Sequence, residues 1–336
     1  MVKARRFVLA KHFVGEPKED DFELVEEELP DLKDGEIRVE AVALSVDPYM
    51  RPYSVNHPVG TTMFGSQVAR IVESRSEAYP VGKLVVGQFG WRERAVVDVG
   101  KQDLTGLPKP YIVPDFKGLS KSLALGVLGM TGNTAYFGFL ELCKPKAGET
   151  VAVTGAAGAV GSTVGQIAKI KGCKVIGFAG SDDKVKWLTS ELGFDHAFNY
   201  KTTDIDEALK KAAPNGIDCY FDNVGGKLSS TIIKQMNNFG RISVCGSVAS
   251  YNEDPSNLPE APIIQRAIVG KQLKMEGFLV KRWSNRWLEG INQLLQWIVE
   301  GKLKYNETVT RGFENMPTAF IEMLQGKNVG KAVVKV

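Results

Sequence analysis

The chain has 336 residues, 43% hydrophobic and 24% charged, with 42 basic and 39 acidic side chains and a formal net charge of +3. That length implies two domains and a core large enough to need no disulfide or metal staple. The charges are evenly spread, which excludes the clustered basic stripe of a nucleic-acid-binding surface, and no apolar run approaches the roughly 18–20 residues of a membrane span. The densest charge run, Glu26-Glu27-Glu28, reads as a solvated face. The four cysteines, Cys143, Cys173, Cys219 and Cys245, form no C-x-x-C pair, as expected of reduced thiols in a cytosolic protein. Residues 1–6 are basic but are followed by Lys11-His12 rather than by the apolar stretch of a secretion signal.

The first third reads as short strands broken by turns. Residues 36–44 (EIRVEAVAL) alternate apolar and polar, as a half-buried strand does. Residues 66–72 and 84–86 are further strands, separated by Pro80 and Gly82, and the spacing predicts a partly antiparallel β domain. The pattern changes near Ser122. Apolar runs at 150–154, 174–179, 218–221, 241–245 and 273–280 read as strands, and amphipathic helical stretches at 159–171, 183–192 and 204–212 lie between the first four. Such alternation makes a Rossmann-type, doubly wound parallel sheet. Two helical stretches follow, at 285–300 and 316–324. The final run, 331–336 (KAVVKV), is strand-like and is expected to return to the first domain. The expected fold is α/β, with residues 122–309 as a nucleotide-binding domain inserted into a discontinuous, mainly β domain of residues 1–121 and 310–336.

The strongest local signal is the strand at 150–154 followed by Gly155-Ala-Ala-Gly-Ala-Val-Gly161 and a helix. In the dinucleotide-binding pattern glycine stands at three places; here Ala156 takes the first, and Gly158 and Gly161 the others. Gly158 lets the backbone approach a pyrophosphate, Gly161 lets the helix pack on the sheet, and the helix N-terminus offers free N–H groups. A tight turn with no ligand would look similar in isolation, but the strand–helix alternation around it favours the ligand. An NAD enzyme commonly carries Asp or Glu at the tip of its second strand to hold the ribose 2′-hydroxyl. Here that tip is Gly180-Ser181, with Lys184 within reach of a 2′-phosphate and Tyr200 as a second candidate for that pocket. Asp182 and Asp183 read as acidic first-turn residues of the following helix.

Several stretches resemble the medium-chain dehydrogenase/reductases, and among them the zinc-free prostaglandin reductases, also called leukotriene B4 12-hydroxydehydrogenases or NADPH-dependent alkenal/one oxidoreductases. They are Ser45-Val-Asp-Pro-Tyr-Met-Arg51, Gly129-Met-Thr-Gly-Asn-Thr-Ala-Tyr-Phe-Gly138, Gly155-Ala-Ala-Gly-Ala-Val-Gly161 and Gly180-Ser-Asp-Asp-Lys184. Tyr220-Phe-Asp-Asn-Val-Gly-Gly226, Cys245-Gly-Ser-Val-Ala-Ser-Tyr-Asn252 and Gly312-Phe-Glu-Asn-Met-Pro317 complete the set, in order along nearly the whole chain. The resemblance implies a GroES-like catalytic domain, NADP(H) as cofactor and a homodimer formed through the nucleotide domain. It also implies that Gly158, Ala159, Val160 and Gly161 hold the pyrophosphate and that Lys184 and Tyr200 bind the 2′-phosphate. Asn223, Cys245, Gly246, Ser247, Val248, Ala249, Ser250, Tyr251, Phe278, Leu279, Val280 and Asn328 would line the rest of the cofactor. The chain departs from the family at Thr131, where proline is usual, and at Asn133, where an apolar side chain is expected. Both are expected near the nicotinamide and the substrate.

No zinc ligand set can be assembled. The first domain has His12 and His57, read as surface or turn residues, and the chain's first cysteine, Cys143, comes only after that region ends. The reaction that the resemblance implies is metal-free reduction of the carbon–carbon double bond of a lipid-derived enone or enal, such as a 15-oxo-prostaglandin, with leukotriene B4 oxidation as a further family activity. Hydride adds at the β-carbon and a hydrogen-bond donor steadies the developing enolate. Tyr251, Tyr49 and Tyr53 are the candidate donors, beside the cofactor ribose. Arg51 would either attract a carboxylated substrate or make a structural ion pair. The rival readings are a quinone reductase of the same superfamily and a non-catalytic, crystallin-like NADPH-binding protein.

Overall fold

A computed structural model describes residues 2–101, 106–254 and 256–336. The chain divides into two units, one made of Met1–Gly129, Glu307–Asn328 and Ala332–Val336, the other of Met130–Asn306 and Val329–Lys331. The first unit opens with β1 (Val2–Leu9), β2 (Phe22–Leu29), β3 (Glu36–Ser45), the one-turn helix α1 (Met50–Tyr53), β4 (Gln67–Ser74), β5 (Leu84–Gly87), β6 (Arg94–Asp98) and β7 (Tyr111–Ile112). The alternation read at 36–44 is the pleat of β3: Ile37, Val39, Ala41 and Ala43 are buried and the residues between them are partly exposed. β3 pairs antiparallel with both β4 and β6.

β1 and β2 form a separate antiparallel pair, which charged residues hide from a hydrophobic-period reading. Glu27 is not part of a solvated face. It lies between Arg6 (3.1 Å) and Arg92 (3.1 Å) with its side chain 21% exposed, while Glu26 and Glu28 do face water. An aromatic core holds this unit together. Phe22 stacks on Trp91 at 5.3 Å between centroids, and Phe320 meets the edge or face of both.

The second unit contains α2 (Met130–Leu140), β8 (Thr150–Thr154), α3 (Ala159–Ile170), β9 (Lys174–Ala179), α4 (Asp182–Ser190), β10 (His196–Asn199), α5 (Ile205–Ala212), β11 (Ile217–Asp222), α6 (Gly226–Lys234), β12 (Met236–Val244), α7 (Gln265–Gly270), β13 (Lys274–Gly277) and α8 (Trp287–Val299). The strands are parallel in the order β10-β9-β8-β11-β12-β13, so chain direction across the sheet reverses between β8 and β11. In an open parallel sheet, ligands bind outside the carboxyl ends at such a reversal. α2 escaped the periodicity reading because it is apolar on nearly every side and packs against both α3 and α8.

The chain then returns to the first unit with β14 (Glu307–Arg311), α9 (Met316–Leu324) and β15 (Lys331–Lys335). β15 pairs antiparallel with β3, Val333 opposite Ser45, so the terminal run does join the first sheet, in the order β14-β15-β3-β4-β5-β7. The divide between the units falls after Gly129 rather than at residue 121. Leu123, Ala124 and Leu125 form a buried 3-10 turn against β3 and β4 and so belong with the β unit.

The amino edge of the parallel sheet is closed by an ionic lock. Arg241 on β12 donates to Glu149 twice (2.9 and 2.6 Å) and to the Cys143 carbonyl (2.8 Å). Asp218 on β11 accepts from Thr150 N–H and from Asn237, both at 2.8 Å. Burial alone would raise the Glu149 carboxyl, but the Arg241 hydrogen bonds, the Lys146 N–H and the Arg241 charge outweigh it and hold the group below its ordinary value. A carboxyl depressed on folding stabilises above its unfolded value, and the gain is lost as pH falls through the folded one. Replacing Arg241 by Met should therefore cost about 2–3 kcal/mol in urea unfolding near pH 7. The penalty should shrink towards about pH 3 as Glu149 takes up a proton. An unchanged penalty there would show that the pair is not its source.

Candidate functional site

The turn after β8 lies beside the reversal of strand order. Gly155 has φ +59°, the left-handed region natural to glycine. Ala156, at the first position of the glycine pattern, is fully buried, and its N–H donates to the Phe178 carbonyl at 3.0 Å. At Gly161 a Cβ would lie 2.3 Å from the Gly155 carbonyl oxygen, so any side chain would push α3 off the turn. At Gly158 a Cβ would meet only that same oxygen, at 3.3 Å, and Gly158, Ala159 and Val160 are partly exposed. The leading N–H groups of α3 are thus presented at the carboxyl edge, where an anion would be held. Gly330 N–H donates to the Ala157 carbonyl at 2.8 Å and Gly330 bridges Gly158; Asn328 stands two residues before it.

At the tip of β9, a Cβ on Gly180 would lie 3.0 Å from the Tyr200 hydroxyl and 3.4 Å from Lys201 Cε. A side chain there would press on the Tyr200 hydroxyl, which would have to give by a few tenths of an ångström. Ser181 caps α4, its Oγ accepting from Lys184 N–H at 3.5 Å. Asp182 accepts from Asn199 Nδ2 at 2.8 Å, and both it and Asp183 lie in the first turn of α4, as expected. Burial, with the like charge of Lys201 added, pushes the Lys184 ammonium below its ordinary value. The fold therefore brings Lys184, Tyr200 and Lys201 together at Gly180. Lys201, next to Tyr200 in sequence, escaped the sequence reading.

The loops after β11 and β12 are tied together by Asp222, also missed from sequence. This carboxylate is 2% exposed and accepts from Thr154 Oγ (3.2 Å), Val224 N–H (3.0 Å), Gly225 N–H (2.9 Å) and Ser229 Oγ (2.6 Å). Asn223 beside it donates Nδ2–H to the Thr154 carbonyl at 2.7 Å. Cys245 and Gly246 donate to the Asp222 carbonyl, and Val248 and Ala249 to those of Asn223 and Val224. Burial, with the Asp222 charge added, pushes the Cys245 thiol up to about 12, so its sulfur stays neutral.

Val248 and Ser250 bound a 3-10 turn, and the Ser247 and Ser250 hydroxyls lie 2.9 Å apart. The Tyr251 hydroxyl folds back on this loop and accepts from Ser247 N–H at 3.3 Å. Phe278 N–H donates to the Val244 carbonyl at 3.3 Å while its ring packs edge-on against Phe221 and Trp283. The partly buried side chain of Phe278 thus packs on this aromatic cluster, and its backbone marks the edge. Leu279 is exposed and Val280 begins the next 3-10 turn.

Asn133 is no pocket residue. It is fully buried, donates Nδ2–H to the Trp287 carbonyl at 3.0 Å, and faces Gly290, where a Cβ would lie 2.0 Å from its Oδ1. The departure from an apolar side chain serves the joint between α2 and α8.

In the β unit, Tyr49 and Tyr53 are neighbours at 5.8 Å between ring centroids, with Phe64 stacked on Tyr49 at 6.2 Å. Tyr53 is 53% exposed. Arg51 lies 5% exposed over the Phe13 ring and donates twice to the Gly15 carbonyl (3.2 and 2.9 Å), so it clamps that turn, with the charge of Asp21 acting on it. His12 is bonded to the His57 carbonyl and His57 to the Thr62 carbonyl. Among the described residues, no group of three or more His, Cys, Asp or Glu side chains is placed to hold a metal ion.

Residues 5–104 match the family described as the N-terminal domain of oxidoreductase, and residues 159–297 the one described as zinc-binding dehydrogenase. Prostaglandin reductase 1 of Oryctolagus cuniculus is 52% identical over 99% of this chain and 93% of its own length. The NADP(+)-dependent 2-alkenal reductase of Nicotiana tabacum is 38% identical over 100% and 98%. The crystal structure of CurA in complex with NADPH from Vibrio vulnificus superimposes with a TM-score of 0.90 at 38% identity, covering 99% of each chain. The chain belongs to the zinc-independent medium-chain dehydrogenase/reductases, in the family of the prostaglandin reductases.

Proposed function

We propose that the chain is an NADPH-dependent reductase of the carbon–carbon double bond in α,β-unsaturated aldehydes and ketones. The observation that carries the cofactor is the corner at Gly180. Glycine, not a carboxylate, occupies the position that would hold a ribose 2′-hydroxyl, and two lysines with a tyrosine hydroxyl gather at it. A phosphate there would relieve the mutual repulsion of Lys184 and Lys201 and accept charge-assisted hydrogen bonds. The Gly158–Gly161 turn and the N-terminus of α3 supply the pyrophosphate seat, and Asn223, the backbone from Cys245 to Ser250, the backbone of Phe278 to Val280 and Asn328 line the remainder. When bound, NADPH supplies the hydride for the β-carbon. The substrate class rests on the relatives named for alkenals and prostaglandins.

In this reading the protein's own task is electrostatic. Reduction of a carbonyl places a full alkoxide on oxygen, whereas conjugate addition spreads the charge over an enolate that ordinary hydrogen bonds can steady. Tyr251, its hydroxyl oriented by Ser247 N–H, is the first candidate donor to the enolate oxygen. Tyr49 and Tyr53 are the candidates from the β unit. The proposal extends to a homodimer through the parallel-sheet unit. β13 is the outer strand of that sheet, and Ile263, Val269 and Met275 around it are exposed. A cytoplasmic setting agrees with cysteines that are all free, three of them buried.

Lys184→Ala should weaken NADPH binding about 10- to 100-fold, the loss of one charge-assisted contact, and leave NADH binding nearly unchanged. Equal use of NADH and NADPH by the parent protein would sink the cofactor reading. With 4-hydroxynonenal or a 15-oxo-prostaglandin plus NADPH, mass and NMR analysis should find the saturated aldehyde or ketone. An allylic alcohol as the main product, or turnover of quinones alone, would refute the reaction class, and cofactor binding without turnover of any activated alkene would make the protein non-catalytic. Tyr251→Phe should lower kcat more than it alters NADPH affinity. Sedimentation equilibrium should report twice the chain mass of 36.7 kDa; a monomer would end the dimer proposal.

A further inference from the structure

Helix α2 runs back along the parallel sheet. Near its C-terminal end the Gly138 carbonyl accepts from Ser243 Oγ at 2.8 Å, and beyond it the Cys143 carbonyl accepts from Arg241 Nε at 2.8 Å. Residues 138 and 143 thus lie beside 243 and 241, so α2 is antiparallel to β12 and its N-terminus points to the carboxyl edge. Seven helical residues span about 10 Å, or about three residues of strand, which puts Thr131 level with Cys245 and Gly246. Seven residues also make nearly two full turns, so Thr131 shares a face with Gly138. That face is turned to the end of β13: a Cβ on Gly138 would lie 2.2 Å from the Phe278 ring.

Thr131 is 6% exposed, and its Oγ is buried without a hydrogen-bond partner. A buried orphan hydroxyl weakens a protein, since its bonds to water are lost and not replaced. Its place in the first turn of α2 sets it beside the leading N–H groups of a helix, which have no intrahelical acceptor either. In the strand order found here the β8–β9–β10 half carries Lys184 and Tyr200, so the β11–β12–β13 half receives the other mononucleotide of a dinucleotide that spans the reversal.

We propose that the Thr131 hydroxyl is a binding residue for the nicotinamide end of NADPH and pairs with its carboxamide. This rests on the NADPH-dependent reading given above. A hydroxyl both donates and accepts, and a carboxamide offers both an N–H and a C=O, so the pair is satisfied in either orientation. By the helix register Thr131 lies level with the edge where Phe278 N–H meets the Val244 carbonyl, backbone that belongs to the same proposed seat, and this favours the cofactor over the substrate as its partner.

Thr131→Val removes the hydroxyl at nearly constant volume, and Thr131→Ser keeps it. Without ligand, the valine variant should melt at or above the parent temperature. By calorimetry or cofactor fluorescence it should bind NADPH roughly three- to tenfold more weakly, the worth of one neutral hydrogen bond, with the serine variant close to the parent. All three proteins should bind 2′-phospho-ADP-ribose, which lacks the nicotinamide, equally well. Unchanged NADPH affinity in the valine variant would overturn the proposal, as would equal weakening for both ligands, which would show the hydroxyl acting on loop order. A parent protein that binds neither ligand would fail the NADPH reading itself, and the proposal with it.

Discussion

A buried carboxylate is expensive unless several donors surround it, and Asp222 stands where β11 ends, beside the reversal of strand order, with four of them. Two are backbone N–H groups of its own loop, one is a hydroxyl on β8 and one a hydroxyl on α6. The arrangement therefore fixes the spacing between adjacent strand ends as well as the course of the Asn223–Gly226 turn. The β12 loop in turn hangs from the carbonyls of Asp222, Asn223 and Val224. Cys245 and its neighbours on that loop are thus bonded to the backbone of the turn that the Asp222 carboxylate fixes.

Much of this was legible in the sequence. Strands at 150–154 and 174–179 and the helix from 159 follow from apolar runs and a glycine turn whose geometry the structure reproduces, down to the helix pressed on Gly161. The return of the terminal run to the first sheet was also readable, since a short apolar strand at a chain end needs a partner sheet. What stayed hidden has physical causes. β1 and β2 are disguised by side chains such as Glu27, whose charge is neutralised by arginines distant in sequence. α2 shows no stripe because its surroundings are apolar on almost every side. Asp222 reads as an ordinary acid at a strand end, because its importance lies in four donors that only folding assembles.

Site residues were harder to read than elements, for a related reason. Arg51 and Asn133 both invited roles in ligand binding, and each proves to be bonded to a backbone carbonyl, Gly15 in one case and Trp287 in the other. A polar residue in a largely apolar stretch looks functional until its local partner is known. Lys201 is the converse: an unremarked surface-type lysine that the turn after β10 brings to the same corner as Lys184.

The two edges of the parallel sheet differ in how fully their polar groups are satisfied. At the amino edge Arg241 is answered by Glu149, and Asp218 by Thr150 and Asn237. Among the described residues of this unit, the buried side-chain oxygens without a partner are those of Thr131, Asn133 and Asn252. Asn133 Oδ1 is enclosed in a helix joint. Thr131 lies at the carboxyl edge, and Asn252 follows directly on the loop that leaves it. Two lysines of like charge and the leading N–H groups of α3 share that edge. A protein interior saturates its hydrogen bonds wherever folding alone sets the terms. The Thr131 and Asn252 oxygens, left without a partner at or next to that one edge, are positioned for something that is not part of the chain. The demand is also polarised, cationic near β9 and β10 and neutral near α2 and β12. A symmetric anion would not answer both ends, but an elongated ligand with phosphate at one end and a neutral amide at the other would.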